Sequence, residues 1–589
     1  MTNAPLVNII WGVKVILVRK EIEMKKGYPT HPWRVTTDLK QLVKDAAKLF
    51  ADRPYLRYKD KKNGDATVDV TYAELDEMID ALGTSFYALG LDKKHIAVIG
   101  DTCPEWICTY LATINGGGVI VPLDKELSFA EIVKFLEVAD VRAVVFSPRF
   151  REQFESVLDT SSVSYFIEMG DGSDYVSEKF MSFSSLIEKG RTLIEDGFSD
   201  FVDYETNVED DAAILFTSGT TGTSKGVLLS QANIVAAING SISMLDFSED
   251  EVLVSVLPIH HTYEMTCGIL TPLTVGCVVC INDSLKYLVK NFKLFRPTTL
   301  ILVPQFVTTV YKRIWDSAQK SGKDKKLKTG INISNALRRV KIDITKTLFA
   351  DVCAAFGGRL RKVVCGGAAL SADYVRGFEE LGINLVQGYG ITECAPLISV
   401  CPFHWKKYSS VGLAIPGLEV KIVKENEADR EGEITVRGAN VMRGYYNDPE
   451  KTAEVLTEDG WFSTGDIGYV DEDGFIYITG RKKNIIILDN GKNVFPEELE
   501  EYVYRSPLVA ECVVAGKVLE SGETVICAYI YPNFDKAKEM GFEAIEQIKN
   551  ELKAFVQELN KTLPLFKQIR SVEIRRTEFD KTTTKKIKR

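Results

Sequence analysis

Apolar positions recur at helical spacing from Leu39 to Phe50 and predict an amphipathic helix. Residues 55–58 and 68–70 alternate around a Lys/Asn/Gly/Asp turn, which predicts a hairpin, and Thr71 is placed to cap a helix running through Leu82. The run IAVIG at 96–100, the helical CPEWICTYLATINGGG and the apolar VIVPL at 119–123 read as strand, helix and strand. The same alternation returns with a helix at 132–138 and a strand, AVVFS, at 143–147. Such repetition predicts parallel sheets with helices on both faces.

A short apolar run at 212–216 feeds the stretch TSGTTGTSKGV at 217–227, and residues 230–237 have helical composition with a plausible cap at Ser230. Hydroxyls and backbone amides of Thr217, Ser218, Gly219, Thr220, Thr221, Gly222 and Thr223, with the Lys225 ammonium, form an anion cradle of the kind that holds phosphate. A solvated turn is the competing reading of the same residues. The pattern GxxxxGK[ST] is absent, because Lys225 lies between Ser224 and Gly226, so this is a phosphate loop of another kind.

Farther along, residues 251–280 are strongly apolar and carry LPIHHTYE. Residues 312–347 are polar, basic and poor in Gly and Pro, which predicts helix. The strand KVVCGG at 362–367 enters a glycine turn, whereas 420–436 alternates between frequent turn signals and predicts antiparallel pairing. After GRKKNIIILDNGKN, Pro496 opens an acidic helix, and the remaining pattern suffices for a small α+β domain.

Composition narrows the class. At 589 residues, 45% apolar and 26% charged, the chain has the make-up of an ordinary globular protein with several cores. A net charge of −10 gives no support to general nucleic-acid binding. The basic clusters at 312–328 and 338–341 read as solvated faces, and Lys323 to Lys328 also suit contact with anionic lipid. Eleven cysteines without CxxC pairs or zinc spacing indicate buried thiols in a reducing, cytoplasmic compartment; Cys277 and Cys280 flank two valines in an apparent strand. Residues 5–18 are apolar but too short to span a bilayer, and Met24 begins MKKGYPTHPW like a natural start, so residues 1–23 are expected to lie outside the working fold, with peripheral membrane contact as the alternative.

Seven separated stretches resemble, in order, the AMP-forming acyl-CoA synthetases within the adenylate-forming enzymes: TSGTTGTSKGV, LPIHHTYE, GGAAL at 366–370, QGYGITE at 387–393, WFSTGD at 461–466, DGFIYITGRKKN at 473–484 and KTTTKKIKR at 581–589. The resemblance implies an α/β fold: a large N-terminal domain at 24–482, made of two α/β subdomains and a β-barrel-like one, and a small mobile α+β C-terminal domain at 483–589. It also implies ATP, Mg2+ and coenzyme A as nucleotide, metal and co-substrate, with a fatty acid as the acid activated. No nucleic-acid partner is expected.

By the same resemblance, the 217–225 loop holds the β and γ phosphates, Glu393 takes the magnesium ion, and Thr392 contacts the α-phosphate. Tyr389 stacks on adenine, within Gln387, Gly388 and Gly390, while Gly366, Gly367 and Ala368 allow close backbone approach on the other side. Asp466 accepts the ribose hydroxyls, joined by Arg481. Lys586 bridges carboxylate and α-phosphate, with Lys585 the open alternative because the family often has Gly-Lys there. Lys483 is the hinge about which the C-terminal domain turns between half-reactions. His261 stands beside the acyl carboxylate, His260 has no assigned role, and Glu264 has a structural one. HHTYE lacks the aspartate that pairs with an α-amino group in peptide-synthetase domains, and 312–348 is most similar to the long-chain branch. Delivery to a carrier-protein thiol, and a catalytically silent lipid-binding homologue, are the alternatives.

Overall fold

The computed structural model describes residues 33–589 apart from 61–63, 65, 172–177, 218–223, 425, 490–491, 521, 582–586 and 588, together with the backbone of residues 9–10 and 13–14. The expectations for the leading 23 residues, for six residues of the phosphate loop, and for Lys585 and Lys586 therefore fall largely outside the described residues. The chain forms two compact units, Met1–Glu419 with Arg437–Gly460, and Val420–Val436 with Trp461–Arg589.

The first unit begins with the helix Leu39–Phe50, whose N-terminus is capped by the Asp38 carboxylate accepting from the Gln41 amide at 2.7 Å. The predicted hairpin follows as Pro54–Lys59 paired antiparallel with Thr67–Thr71. Thr71 and Glu74 form a capping box on the next helix, which extends to Ala88 rather than stopping at Leu82. Gly83, a breaker in sequence terms, is accommodated because the Phe201 ring packs where a side chain would stand, 2.2 Å from an ideal Cβ.

One sheet of this unit runs in the order Gly444–Tyr445, Lys225–Ser230, Asp211–Thr217, Val119–Leu123, His95–Ile99, Val141–Phe146, Tyr165–Glu168, Phe180–Ser182. From Asp211–Thr217 onward the strands are parallel, as the alternating pattern predicts. Ile99, Val144, Phe146, Phe154 and Phe166 close its core. Asp211–Thr217 pairs antiparallel with Lys225–Ser230, a strand the sequence reading does not include, and the expected helix follows as Gln231–Met244 with Ser230 as its cap. Residues 225–230 place Val227 and Leu229 in the interior, and that burial favours the strand up to the Ser230 cap.

A second sheet contains the parallel strands Asn384–Gly390, Lys362–Cys365, Thr299–Leu302, Val252–Ser255, Val278–Ile281 and Pro54–Lys59, in that order. The chain leaves Val252–Ser255 first toward Val278–Ile281 on one side and then toward Thr299–Leu302 on the other. That reversal is a topological switch point, beyond whose carboxyl edge ligands of α/β sheets commonly bind. Antiparallel strands Leu397–Val400 and Gly412–Ala414 continue from Asn384–Gly390. Cys277 and Cys280 are buried as expected, and burial pushes the Cys280 thiol up to about 12. The basic stretch is helical, Pro304–Lys320, Asp324–Arg339 and Thr345–Leu348.

The second unit holds the predicted antiparallel strands: Gly432–Arg437 pairs with Phe462–Val470, and that strand with Phe475–Arg481. Beyond them Val509–Val518, Thr524–Pro532 and Ser571–Ile574 form a three-stranded sheet. Leu499 and Val503 of the helix Pro496–Val503 and Ile548, Leu552 and Val556 of Ile545–Asn560 pack with it into one core. The expected α+β pattern is thus present.

Candidate active site

Parallel pairing aligns Cys365 with Gln387, so the GGAAL turn and the QGYGITE strand emerge side by side at one sheet edge. Gly366 donates its amide to the Leu302 carbonyl at 3.1 Å, and an ideal Cβ there would stand 3.2 Å from both the Gly388 carbonyl oxygen and the Tyr263 ring. Gly367 adopts φ +84° and, like Ala368, is exposed. Gln387 is buried and donates to the Tyr408 carbonyl at 2.7 Å, which makes it a strut of this edge. Tyr389 is 7% exposed, so little of it is open to solvent. Gly390 is required sterically, because a Cβ would lie 2.0 Å from the Pro396 carbonyl oxygen.

Thr392 and Glu393 occupy the single 3-10 turn Thr392–Cys394 that follows. The Met442 amide donates to the Glu393 carbonyl at 2.8 Å, and Asn440 donates to the carbonyls of Cys394 and Leu397, fixing the turn against residues 437–446. Tyr445 connects this acid to Lys225. Its hydroxyl donates to Glu393 Oε1 at 3.1 Å, and the Lys225 ammonium lies 4.4 Å from the centre of its ring. Cross-strand pairing explains the juxtaposition, since Val227 faces Tyr445 and Thr217 faces Lys225. Burial, followed by the Glu393 charge, pushes the phenol above its ordinary value and keeps it a donor.

Tyr445 has no short-range sequence signal: it stands 52 residues from the acid it meets. A phosphate placed before Lys225 would share one polar chain with whatever Glu393 holds. Among the described residues no three His, Cys, Asp or Glu side chains converge as a metal cage. Magnesium commonly takes one or two carboxylates and completes its shell with phosphate oxygens and water, and the half-buried Glu393 fits that use.

The HHTYE segment leaves the switch-point strand Val252–Ser255. The His260 and His261 rings are 4.0 Å apart, and His260 Nε2 is 3.6 Å from Asp124. Burial lowers the His260 pKa, against the opposing pull of Asp124, so its imidazole is neutral. Tyr263 and Glu264 open the π-helix Tyr263–Leu270. The Tyr263 hydroxyl donates to the carbonyls of Leu302 and Val364, each at 3.3 Å, which pins this helix to the edge that also carries Gly366. Glu264 is 1% exposed, its Oε1 has no hydrogen-bond partner among the described residues, and burial pushes its carboxyl up to about 8. It is therefore a neutral acid at pH 7.

In the second unit, strand pairing sets Asp466 opposite Arg481, whose Nε lies 2.8 Å from Asp466 Oδ1. Asp466 is 3% exposed and its amide donates to the Thr464 hydroxyl at 3.1 Å. Lys482 pairs with Glu433 at 2.8 Å, and Lys483 lies in the 3-10 turn Lys482–Asn484. Lys586 lies outside the described residues, between Lys581, which pairs with Glu511 and Glu578, and Ile587, which bridges back to Lys581.

The first unit thus combines a hairpin, Asp211–Thr217 with Lys225–Ser230, and a glycine-lined strand end at Asn384–Gly390. Residues 43–446 match the AMP-binding enzyme family and residues 483–589 the AMP-binding enzyme C-terminal domain, so the chain belongs to that family, in its AMP-forming acyl-CoA synthetase class. The long-chain-fatty-acid–CoA ligase FadD15 of Mycobacterium bovis is 31% identical over 79% of this chain and 78% of its own. The indoleacetate–CoA ligase of Aromatoleum aromaticum is 28% identical over 79% of this chain and 83% of its own. Among solved structures, the anthranilate CoA ligase AuaEII with anthranoyl-AMP has a TM-score of 0.74 at 18% identity, covering 94% of this chain and 96% of that one, a likeness of fold.

Proposed function

We propose that the chain couples ATP to a long-chain fatty acid, forming an acyl adenylate and pyrophosphate, and then passes the acyl group to coenzyme A. The observation that carries this reading is the Lys225–Tyr445–Glu393 chain, which joins the loop lysine to the acid expected to hold the metal. A carboxylate resists thiol attack because oxide is a poor leaving group, and attachment to the α-phosphate replaces oxide with AMP.

Residues 217–225 hold the β and γ phosphates, Thr392 hydrogen-bonds the α-phosphate, and Lys586 neutralises the charge shared by carboxylate and α-phosphate. Magnesium, when bound at Glu393, neutralises phosphate charge. Tyr389 with Gln387, Gly388 and Gly390, and Gly366 with Gly367 and Ala368, line the adenine site; Asp466 and Arg481 take the ribose. His261 stands at the acyl carboxylate. Residues 24–482 and 483–589 are the two working domains, turning at Lys483 so that one site serves both half-reactions.

Long-chain preference is supported by the FadD15 similarity and by the neutral state of Glu264, which leaves HHTYE without a carboxylate charge for an α-ammonium. Burying ten methylenes is worth at most about 8 kcal/mol, so an apolar tunnel suffices to set chain length. Among the described residues no helix is long and apolar enough to cross a membrane. The exposed Lys323, Lys325, Lys326 and Lys328 support contact with an anionic membrane surface from which the substrate partitions.

The test is pyrophosphate and thioester production across carboxylates from acetate to oleate, with CoA, with a carrier protein, and with neither. Maximal activity on long acids with CoA is expected. A peak at short or aromatic acids overturns the chain-length reading, the indoleacetate and anthranilate ligases marking the aromatic outcome. Thioester formed only on the carrier protein overturns the CoA reading. Absence of pyrophosphate with every acid leaves a silent lipid-binding homologue.

A further inference from the structure

At the amino-terminal edge of the second sheet, opposite the edge that carries the glycine turns, lies a cavity of about 420 Å³. Its lining includes Thr298, Arg361 and Gly382, each placed just before one of the parallel strands Thr299–Leu302, Lys362–Cys365 and Asn384–Gly390. At about 3.3 Å per residue, the steps from Thr298 to Leu302 set the two edges roughly 13 Å apart. The cavity is therefore separate from the candidate active site.

The lining carries three cations, Lys346, Arg359 and Arg361, and no acid. Lys346 and Arg359 are exposed and make no ion pair among the described residues. Arg361 lies 3.4 Å from the buried Glu251, but that carboxylate already accepts from Lys362 at 2.9 Å and from the Thr299 hydroxyl at 2.8 Å, so one acid faces two cations. The acids flanking Lys346 in the chain are engaged elsewhere: Asp343 accepts from the Thr345 amide and hydroxyl at 2.9 and 2.6 Å, and Asp351 lies 3.7 Å from Lys323. Cys353, Ala354 and Leu360 add an uncharged patch to the lining. Cys353 is half-buried; burial raises its thiol pKa while the Lys346 charge lowers it, which sets that ammonium near the thiol.

We propose that this cavity binds a small soluble organic phosphate monoester, its dianionic head paired with Arg359, Lys346 and Arg361 and its organic part resting on Ala354 and Leu360. Guanidinium forks match phosphate oxygens bidentately, and a lysine adds a point charge. The volume falls in the range of about 300–1,000 Å³ usual for small-molecule sites and leaves room for an organic group beside the phosphate. Because Lys346 and Arg359 are exposed, salt screens the attraction and weakens binding. The site is independent of the acyl-activating function proposed above.

The experiment alkylates the full-length protein with iodoacetamide and follows Cys353 by peptide mass spectrometry, a readout local to the cavity. The probes are glycerol 3-phosphate, inorganic phosphate, phosphatidic acid vesicles and, at matched ionic strength, sodium chloride. Expected is saturable protection of Cys353 by glycerol 3-phosphate, weaker protection by inorganic phosphate, and none by chloride. Arg359→Ala and Lys346→Ala should each raise the half-protecting concentration by about 10- to 100-fold, the loss of one hydrogen bond to a charged group, with an unchanged thermal midpoint. Protection is measured as the ratio of rates with and without probe in each variant, so a change in the intrinsic reactivity of the thiol cancels. Equal protection by chloride, full protection retained in both variants, or no protection by any phosphate overturns the inference. Protection by the vesicles alone overturns the soluble ligand in favour of a lipid headgroup.

Discussion

Replacing Glu264 by glutamine removes a titrating group from a fully buried position while keeping its shape. The carboxyl is 1% exposed at the start of the π-helix Tyr263–Leu270, and Gly268 leaves it room, since a Cβ there would stand 3.0 Å from its carboxyl carbon. Burial raises its pKa from 4.5 to about 8, with the Ser255 hydroxyl pulling weakly the other way. A carboxyl raised on folding binds its proton more tightly in the native state. Its contribution to stability is fully present below pH 4.5 and is lost as pH rises through 8. Each pH unit between those limits is worth about 1.4 kcal/mol, or about 5 kcal/mol over the whole interval.

Wild type should therefore lose stability from pH 5 toward pH 9, while Glu264→Gln loses none of this component and gains on wild type by several kcal/mol at the alkaline end. Urea denaturation of the two proteins at stepped pH, followed by a probe in the first unit, reads the difference. Other titrating groups, the buried neutral His260 among them, are common to both and cancel in that difference. A gap between the two proteins that is constant within about 1 kcal/mol from pH 5 to 9 would refute the reasoning, because it would mean that Glu264 ionises as freely folded as unfolded.

Tyr445→Phe should weaken Mg·ATP use by roughly tenfold or more, the equivalent of a hydrogen bond to a charged group at about 1.5–3 kcal/mol, with the loss seen in pyrophosphate exchange. Glu393→Gln should lose more of that activity and become sensitive to magnesium concentration. Gly390→Ala should destabilise the first unit by about 1–3 kcal/mol in thermal or urea melts, since its methyl meets a backbone carbonyl that has no room to move. Lys483→Pro should spare acyl-AMP formation and impair thioester release in single-turnover assays; equal loss of both counts against a hinge at that position.

Much of the architecture was legible because it follows from local periodicity. The helix Leu39–Phe50, the hairpin at 54–71 and the alternating strands from His95 to Phe146 each carry their own apolar pattern, and burial of that pattern is what forms them. The Tyr72–Ala88 helix ran past its expected end because Phe201, over a hundred residues away, fills the space that Gly83 leaves. The strand Asp211–Thr217 and the helix capped by Ser230 follow their local patterns, whereas the strand Lys225–Ser230 between them is set by its pairing with Asp211–Thr217.

The amino-acid sequence by itself determined the order of the glycine- and hydroxyl-rich motifs, and with them the class of chemistry. Loops that hold phosphate need those residue types in contiguous runs. Only the tertiary structure decided which side chains complete the motifs. Tyr445 reaches Glu393 and Lys225 through strand pairing, Tyr263 seals Gly366 by bonding two neighbouring strands, and Arg589 finds Glu497 and Glu500 across a folded core. These contacts depend on sheet register and helix placement, which set distances between residues that are remote in the chain.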